Sequence, residues 1–397
     1  MRIAYLVNYQ GPDIIARRGI HRSLALAGSQ KAALIAQILS GLGAEVVLFS
    51  IGVVAERKGK WHASVASAIH ATPPVLVKYC VAWDVPLASQ FVALTSLWHT
   101  CREDHRRRPF DVVICYNCSL PETAVALDYF LRQHVPVVLE YEDDTVVYQN
   151  GSRGWRNVIW TALRNRLRKH VRAVFAPSPE LLAQFDRVPH RLLLRGILGD
   201  DLQTAVARKV AVPTSPFRVM FTGTLQHSKG VTELCRAWVA GRFESAELHV
   251  IGDGALAQPL KASQAQSGIV FHGRLSRAGL VQALCSAHIF VNPHVAVKHA
   301  PGNVFPFKMI EYLGAGCPVV STRMGYLEPE LEQSVLYTES NDPAEIADAI
   351  RQVMSSYPLW AERAKRAQAI VWQRYGSGAV GHKLANLLAA ACASPRN

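Results

Sequence analysis

The 397-residue sequence contains no apolar run of the ~18 residues that a helical membrane span needs. The longest candidate, VVLFSIGVVA at 46–55, has the length of a buried strand. There is no internal repeat and no low-complexity tract, which sets aside solenoid arrays and tails. The first residues, MRIAYLVNYQGP, lack the charged and apolar blocks of a secretory leader and read as a first strand. The expected location is therefore the cytoplasm. Cysteine has no pattern either: the eight are scattered, mostly within apolar segments, as reduced thiols are. The one C-x-x-C, Cys115 and Cys118, lacks the two further nearby ligands of a zinc site. Cys115 also falls inside the strand FDVVIC, where a redox motif would instead open a helix, so both cysteines are expected to pack. Aromatic residues do not interleave with the basic ones in any nucleic-acid module, so nucleic acid is not an expected partner. A formal charge of +13 then points to phosphate carried on nucleotides or on a lipid surface.

What is present is alternation. Half of the residues are hydrophobic, enough for a large core. Apolar strand-like runs at 2–8, 45–51, 111–116, 136–141 and 173–178 alternate with helical periodicity at 29–42, 87–101, 120–134, 155–170 and 178–186. Ser29 is the expected N-cap of the first of these helices, with Gly41 and Gly43 closing it. Residues 196–216 lack periodicity and read as a connection, after which the alternation restarts with strands at 217–223, 247–252, 269–273, 288–293, 317–322 and 334–338. Strands separated by helices predict parallel sheets. The expected class is α/β, with two doubly wound domains and a cleft between them: 1–196, 197–375, and a last helix in 376–397 returning to the first domain.

Three segments at the ends of predicted strands could hold ligands. FTGTLQHSKG, 221–230, places Lys229 and free amides where a helix begins, a cradle for a diphosphate or simply a solvated loop. VIGDGALA, 250–257, matches a dinucleotide fingerprint through Gly252 and Gly254, but the acidic residue wanted after the next strand is missing and a tight turn is the plainer role. HAPGNVFPFKMIEYLGAGCPVVST, 299–322, contains a helix with Pro306 at its start and Gly316 at its end. Met309, Ile310 and Leu313 form its core face, while Lys308 and Glu311 share another face. Gly302 permits close approach of a ligand, and Glu311 could accept hydrogen bonds from ribose hydroxyls or be a solvated surface carboxylate.

In this order the segments, with IVFHGRLSRAGLVQAL and HIFVNP between them, resemble the C-terminal domain of the family 4 retaining glycosyltransferases, over roughly residues 217–355. The likeness in the first half is weaker and lies in LAGSQKAALIAQILSGLGAEVVLFS and FDVVICYNCSLPETAVAL. The resemblance implies the GT-B fold, two Rossmann-like doubly wound domains facing each other across a cleft, and transfer of a sugar from a nucleoside diphosphate to a saccharide or lipid-linked acceptor. It implies a diphosphate contact from Lys229, aided by Gly223 and Thr224, and a ribose contact from Glu311. Gly302, Asn303, Val304 and Phe305 would hold the terminal phosphate and the donor sugar, and Arg274 would border the base. Gly28 would let the first domain close over the phosphate. Three positions depart from the family pattern: Asn303 stands for a glutamate, Thr224 for an arginine, and Tyr116 for a histidine. The missing phosphate partner is then expected from Lys308 or Lys298. No metal and no cofactor is implied, and a donor phosphate oxygen would take the acceptor proton.

Glu140 and Glu142 in EYEDDT have three open readings: acceptor binding, structure, or, with Asp143 and Asp144, a cation site. The helix at 155–171 shows an apolar stripe of Trp155, Ile159, Leu163, Leu167 and Val171 beside Arg164, Arg166, Arg168 and Lys169. It is either a core helix with a basic face or, with Arg106, Arg107 and Arg108, a contact to an anionic membrane. The expected role is cell-surface polysaccharide or glycolipid synthesis, with peripheral attachment to the inner face of the membrane. The alternatives are an NAD(P)-dependent oxidoreductase, from GDGALA, and a non-catalytic nucleotide-binding partner protein, from Asn303 and Thr224.

Overall fold

Long apolar runs such as RIAYL and VVICY can be buried on both faces only inside a parallel sheet covered by helices, and the chain builds two of these. The computed structural model describes residues 1–19, 26–52, 59–85, 88–142, 155–209, 215–263, 268–295, 307–323 and 327–393. By packing, the chain divides into two compact units, one of residues 1–194 with 380–397 and one of residues 195–379.

The first unit runs β1 (Arg2–Leu6), α1 (Pro12–Arg18), α2 (Leu26–Gly41), β2 (Glu45–Ser50), β3 (Trp61–His62), β4 (Val65–Ile69), β5 (Val75–Tyr79), β6 (Ala82–Trp83), α3 (Ala88–Arg107), β7 (Val112–Tyr116), α4 (Leu120–Arg132), β8 (Val137–Glu140), α5 (Trp155–His170), β9 (Ala173–Ala176), α6 (Pro179–Ala183) and β10 (His190–Leu193). Its main sheet has the order β10-β9-β8-β7-β1-β2-β5-β4. The expectation of purely parallel pairing fails at one edge: β4 lies antiparallel to β5, and β3 pairs antiparallel with β6. The residues of β4 alternate between half-buried and exposed, as a one-sided edge strand does, so no continuous apolar run announces it. Ser29 does not cap α2; it lies within the helix, and its Oγ accepts a hydrogen bond from the Gln10 amide at 3.1 Å. The other end of α2 matches the expected glycine closure: Gly43 has φ 86°, and the Ala44 amide donates to the Leu39 carbonyl at 3.0 Å. Cys115 and Cys118 are buried free thiols.

The second unit runs α7 (Asp200–Ala207), β11 (Phe217–Thr222), α8 (Val231–Gly241), β12 (Ala246–Ile251), α9 (Ala257–Ser263), β13 (Ile269–Gly273), α10 (Arg277–Ser286), β14 (Ile289–Asn292), α11 (Phe307–Gly314), β15 (Val319–Thr322), α12 (Pro329–Glu332), β16 (Val335–Thr338), α13 (Pro343–Ser355) and α14 (Tyr357–Tyr375). The final helix, α15 (Ser377–Ala393), belongs to the first unit from Val380 onward. The sheet order is β13-β12-β11-β14-β15-β16, and every pair is parallel. Winding runs outward from β11 through β12 to β13, then restarts at β14 on the other side. The crevice of such a sheet opens at that reversal, outside the carboxyl ends of β11 and β14. The segment read as a loose connection instead contains α7, whose Leu202 is buried in the core.

Candidate functional site

Two loops meet at the β11/β14 reversal. After β11 the chain passes Gly223 and Thr224, makes one 3₁₀ turn at His227–Lys229, and enters α8 through Gly230. Gly230 is left-handed (φ 67°), and a Cβ there would come within 1.6 Å of the Pro293 carbonyl oxygen, so only glycine lets the two loops touch. The Val295 amide adds a hydrogen bond to the Ser228 carbonyl at 3.1 Å.

Side chains converge above this junction. Lys229 Nζ lies 2.8 Å from Nε2 of His294, which is only 4% exposed. Burial, with Lys229 and Lys308 nearby, pushes the His294 pKa down to about 4, so the ring is neutral. From α11, Lys308 reaches the same region: its Nζ donates to the Thr222 carbonyl at 3.3 Å and stands 4.3 Å from the centre of the Phe221 ring. Burial and the neighbouring Lys229 pull the Lys308 pKa down to about 7. Tyr312, stacked on Phe290 at 4.1 Å, receives the Thr222 amide at 2.9 Å and so fixes α11 against the end of β11.

Glu311 faces elsewhere on α11. Its Oε1 accepts from Arg277 Nη1 at 2.8 Å, and Arg277 also binds Asp201 through Nε at 2.7 Å and Nη2 at 3.1 Å. The two carboxylates more than offset the burial of Arg277 and raise its pKa. One carboxylate of α11 is thus held by a guanidinium that is itself held from α7.

The structure brings together Lys229, Lys308 and Gly223; a Cβ on Gly223 would lie 3.7 Å from Lys308 Nζ. Thr224 and Arg274 are exposed, at the ends of β11 and β13. Gly302, Asn303, Val304, Phe305 and Lys298 lie outside the described residues. The glycines of GDGALA serve packing: a Cβ on Gly252 would meet the Gly223 carbonyl oxygen at 1.8 Å, and one on Gly254 the Leu225 carbonyl oxygen at 2.5 Å. Sequence reasoning missed His294, Arg277 and Asp201. Arg277 had a signal, because a cation in the first turn of a helix opposes the helix dipole and needs a reason to be there.

The first unit has its own reversal, between β1 and β7. Gly28 of α2 packs there against Tyr116 at the end of β7, and a Cβ would come within 2.7 Å of the Tyr116 hydroxyl. Beside them Lys31 is buried, bonded to Glu142 and 3.4 Å from Glu140, while the Tyr5 hydroxyl donates to Glu140. Burial raises the Glu140 pKa against the pull of Lys31. Asn117 (φ 50°) receives the Glu142 amide on its Oδ1 at 2.7 Å and shapes the turn. Asp143 and Asp144 lie outside the described residues; among the described residues no group of side chains could hold a metal ion. In α5, Leu167 is buried, whereas Val158 and Ile159 are 70% and 47% exposed. No helix among the described residues is long and apolar enough to cross a membrane.

Residues 216–356 match the family model described as glycosyl transferases group 1. A D-inositol 3-phosphate glycosyltransferase of Geodermatophilus obscurus is 27% identical over 186 residues, which are 43% of this chain and 41% of that protein, so the match spans about two-fifths of the relative. Among solved structures, sucrose-phosphate synthase of Thermosynechococcus elongatus has a TM-score of 0.69 at 15% identity, covering 97% of this chain and 98% of that one. Anabaena HepE in complex with UDP and glucose has a TM-score of 0.65 at 18% identity, covering 98% and 99%. The catalytic domain of Arabidopsis thaliana starch synthase IV, bound to ADP and acarbose, has 0.64 at 9% identity, covering 99% of each. The chain thus has the GT-B fold of these solved structures, and its residues 216–356 are similar to the glycosyl transferases group 1 model.

Proposed function

We propose that the chain transfers a sugar from a nucleoside-diphosphate donor to a hydroxyl of a saccharide or lipid-linked acceptor. The observation that carries this reading is the approach of Lys229 and Lys308 to each other at the β11/β14 reversal, with Lys229 hydrogen-bonded to a neutral histidine. A departing diphosphate gains negative charge as the sugar–phosphate bond breaks, and fixed cations at that place stabilise it. Loss of one such contact should cost about 3 kcal/mol in the transition state. Glu311, one helical turn beyond Lys308, would hold the ribose through its hydroxyls, with Arg277 aiming the carboxylate. Lys308 would supply the charge missing at Thr224.

The finer reading is a family 4 enzyme that retains anomeric configuration, in which a donor phosphate oxygen takes the acceptor proton and no metal is needed. The first unit would bind the acceptor, with cell-surface polysaccharide or glycolipid as product. The exposed Val158 and Ile159 beside the basic residues of α5 support peripheral attachment to an anionic membrane. The relatives support the donor class, because structures among them hold UDP with glucose, or ADP. A panel of nucleotide sugars offered with membrane extract, read by mass spectrometry of products, tests the proposal. Transfer must disappear in Lys229→Ala and Glu311→Ala. Tight binding of NADPH without turnover of any nucleotide sugar would refute it.

A further inference from the structure

The described start of the loop after β14 carries a buried histidine. His294 is buried, its ring is neutral, and its two nitrogens have different neighbours: Nε2 faces Lys229 Nζ at 2.8 Å and Nδ1 faces the Val295 carbonyl at 3.3 Å. A carbonyl can only accept, so the proton belongs on Nδ1, and Nε2 is left as an acceptor for the ammonium. The histidine is itself anchored, because the Thr322 hydroxyl donates to its backbone carbonyl at 2.6 Å. The same two loops are pressed together at Gly230 and Pro293 and tied by the Val295–Ser228 hydrogen bond. A lysine on a one-turn 3₁₀ segment has four rotatable bonds, and an acceptor at fixed distance removes much of that freedom before any ligand arrives.

Resting on the proposed donor site, we infer that His294 is the positioning residue of the diphosphate cradle, holding the Lys229 ammonium toward the β11/β14 crevice through an imidazole Nε2 that accepts its hydrogen bond. A neutral acceptor suits this task better than a carboxylate. An aspartate or glutamate here would neutralise the lysine and repel the phosphates, whereas imidazole orients the cation and leaves its charge for the ligand. Lys308 adds the second charge from α11, where its Nζ donates to the Thr222 carbonyl.

Two measurements test this. In the wild-type protein, ¹⁵N NMR of the imidazoles at pH 7 should show His294 as the neutral Nδ1–H tautomer; an Nε2–H tautomer or a cationic ring would overturn the inference without any variant. Calorimetric titration with UDP, GDP and ADP then gives a double-mutant cycle. With the diphosphate that binds, His294→Ala should lose about tenfold in affinity, the worth of a charge-assisted hydrogen bond. That loss should vanish when Lys229 is already alanine. His294→Gln, whose Oε1 reaches the position of Nε2, should recover most of the affinity, and His294→Asn, which reaches only as far as Nδ1, should not. Equal losses in both backgrounds would overturn the role of His294 alone. Failure of the wild-type protein to bind any of the three would overturn the donor-site reading and this role together.

Discussion

Lys308 should be a residue whose removal stabilises the protein while disabling it. Its pKa falls from an ordinary 10.5 to about 7 because it is buried and stands near Lys229. At ~1.4 kcal/mol per pH unit, this sets about 5 kcal/mol against the charged form. The unfolded chain binds more protons at this site than the folded one between about pH 7 and 10.5, so the ligand-free protein gains stability as pH rises through that window. Lys308→Met keeps the contact with the Phe221 ring and removes the charge. Recovery of half the penalty, about 2.5 kcal/mol, would raise the melting temperature of a unit this size by roughly 5–10 °C. The gain should be largest at pH 6.5 and shrink toward pH 10. Binding of a nucleotide sugar should weaken in the same variant. In the wild type that binding should take up a proton at pH 7.5–8.5, measured by calorimetry in two buffers of different ionisation enthalpy. A nucleotide sugar suits the test because its phosphates have no ionisation in that range. A variant less stable than wild type at pH 6.5, or one with donor binding intact, would refute the reasoning.

Glu311→Gln keeps the shape but not the charge that Arg277 pairs with; it should weaken donor binding by about tenfold, and the loss should shrink with a donor lacking the ribose 2′- and 3′-hydroxyls, read by competition titration. Gly230→Ala should not accumulate as folded protein, because its Cβ would overlap the Pro293 carbonyl oxygen at 1.6 Å, whereas Gly378→Ala, with open space around it, should leave circular dichroism and melting unchanged. Lys31→Met strands two carboxylates in the first unit and should cost about 3–5 kcal/mol in chemical denaturation at pH 7.5. Part of that loss should return as pH falls, since the raised pKa of Glu140 lets it take a proton and shed its charge in the fold.

The second unit was readable because each of its strands is a short apolar run bounded by glycine or a polar turn, and each helix has a periodic face. α11 is the clearest case: Met309, Ile310 and Leu313 are buried as their spacing requires, and Gly316, at φ 75°, ends the helix. The first unit was less legible where burial is one-sided. Residues 61–83 form four short strands whose side chains alternate or are few, so no single window stood out from a loop. The helix α7 escaped notice for a related reason: it has eight residues and one fully buried leucine, too little for a periodic signal. In the candidate site, Lys229 and Glu311 could be singled out from sequence because they sit at a helix start and on a helix face. His294 and Asp201 were not, because their roles come from partners 65 and 76 positions away in the chain.

The two halves of this site treat charge in opposite ways, and the difference bears on how it would work. Glu311 is compensated before any ligand arrives, by Arg277, which Asp201 compensates in turn. A carboxylate held in this way costs little reorganisation when it meets neutral hydroxyls, so it fixes the ribose without first having to be ordered. The lysines stand the other way. The ring beside Lys229 is neutral, Lys308 is bonded to a carbonyl, and their mutual repulsion helps depress the pKa of one of them. That strain is relieved only by an anion, and most fully by one whose charge grows as a bond breaks. If Lys229 and Lys308 act in this way, the rate of donor cleavage should fall more steeply than donor affinity when either is made neutral. Single-turnover kinetics can separate the two, and a variant that loses affinity alone would mark the cations as a docking site rather than part of the chemistry.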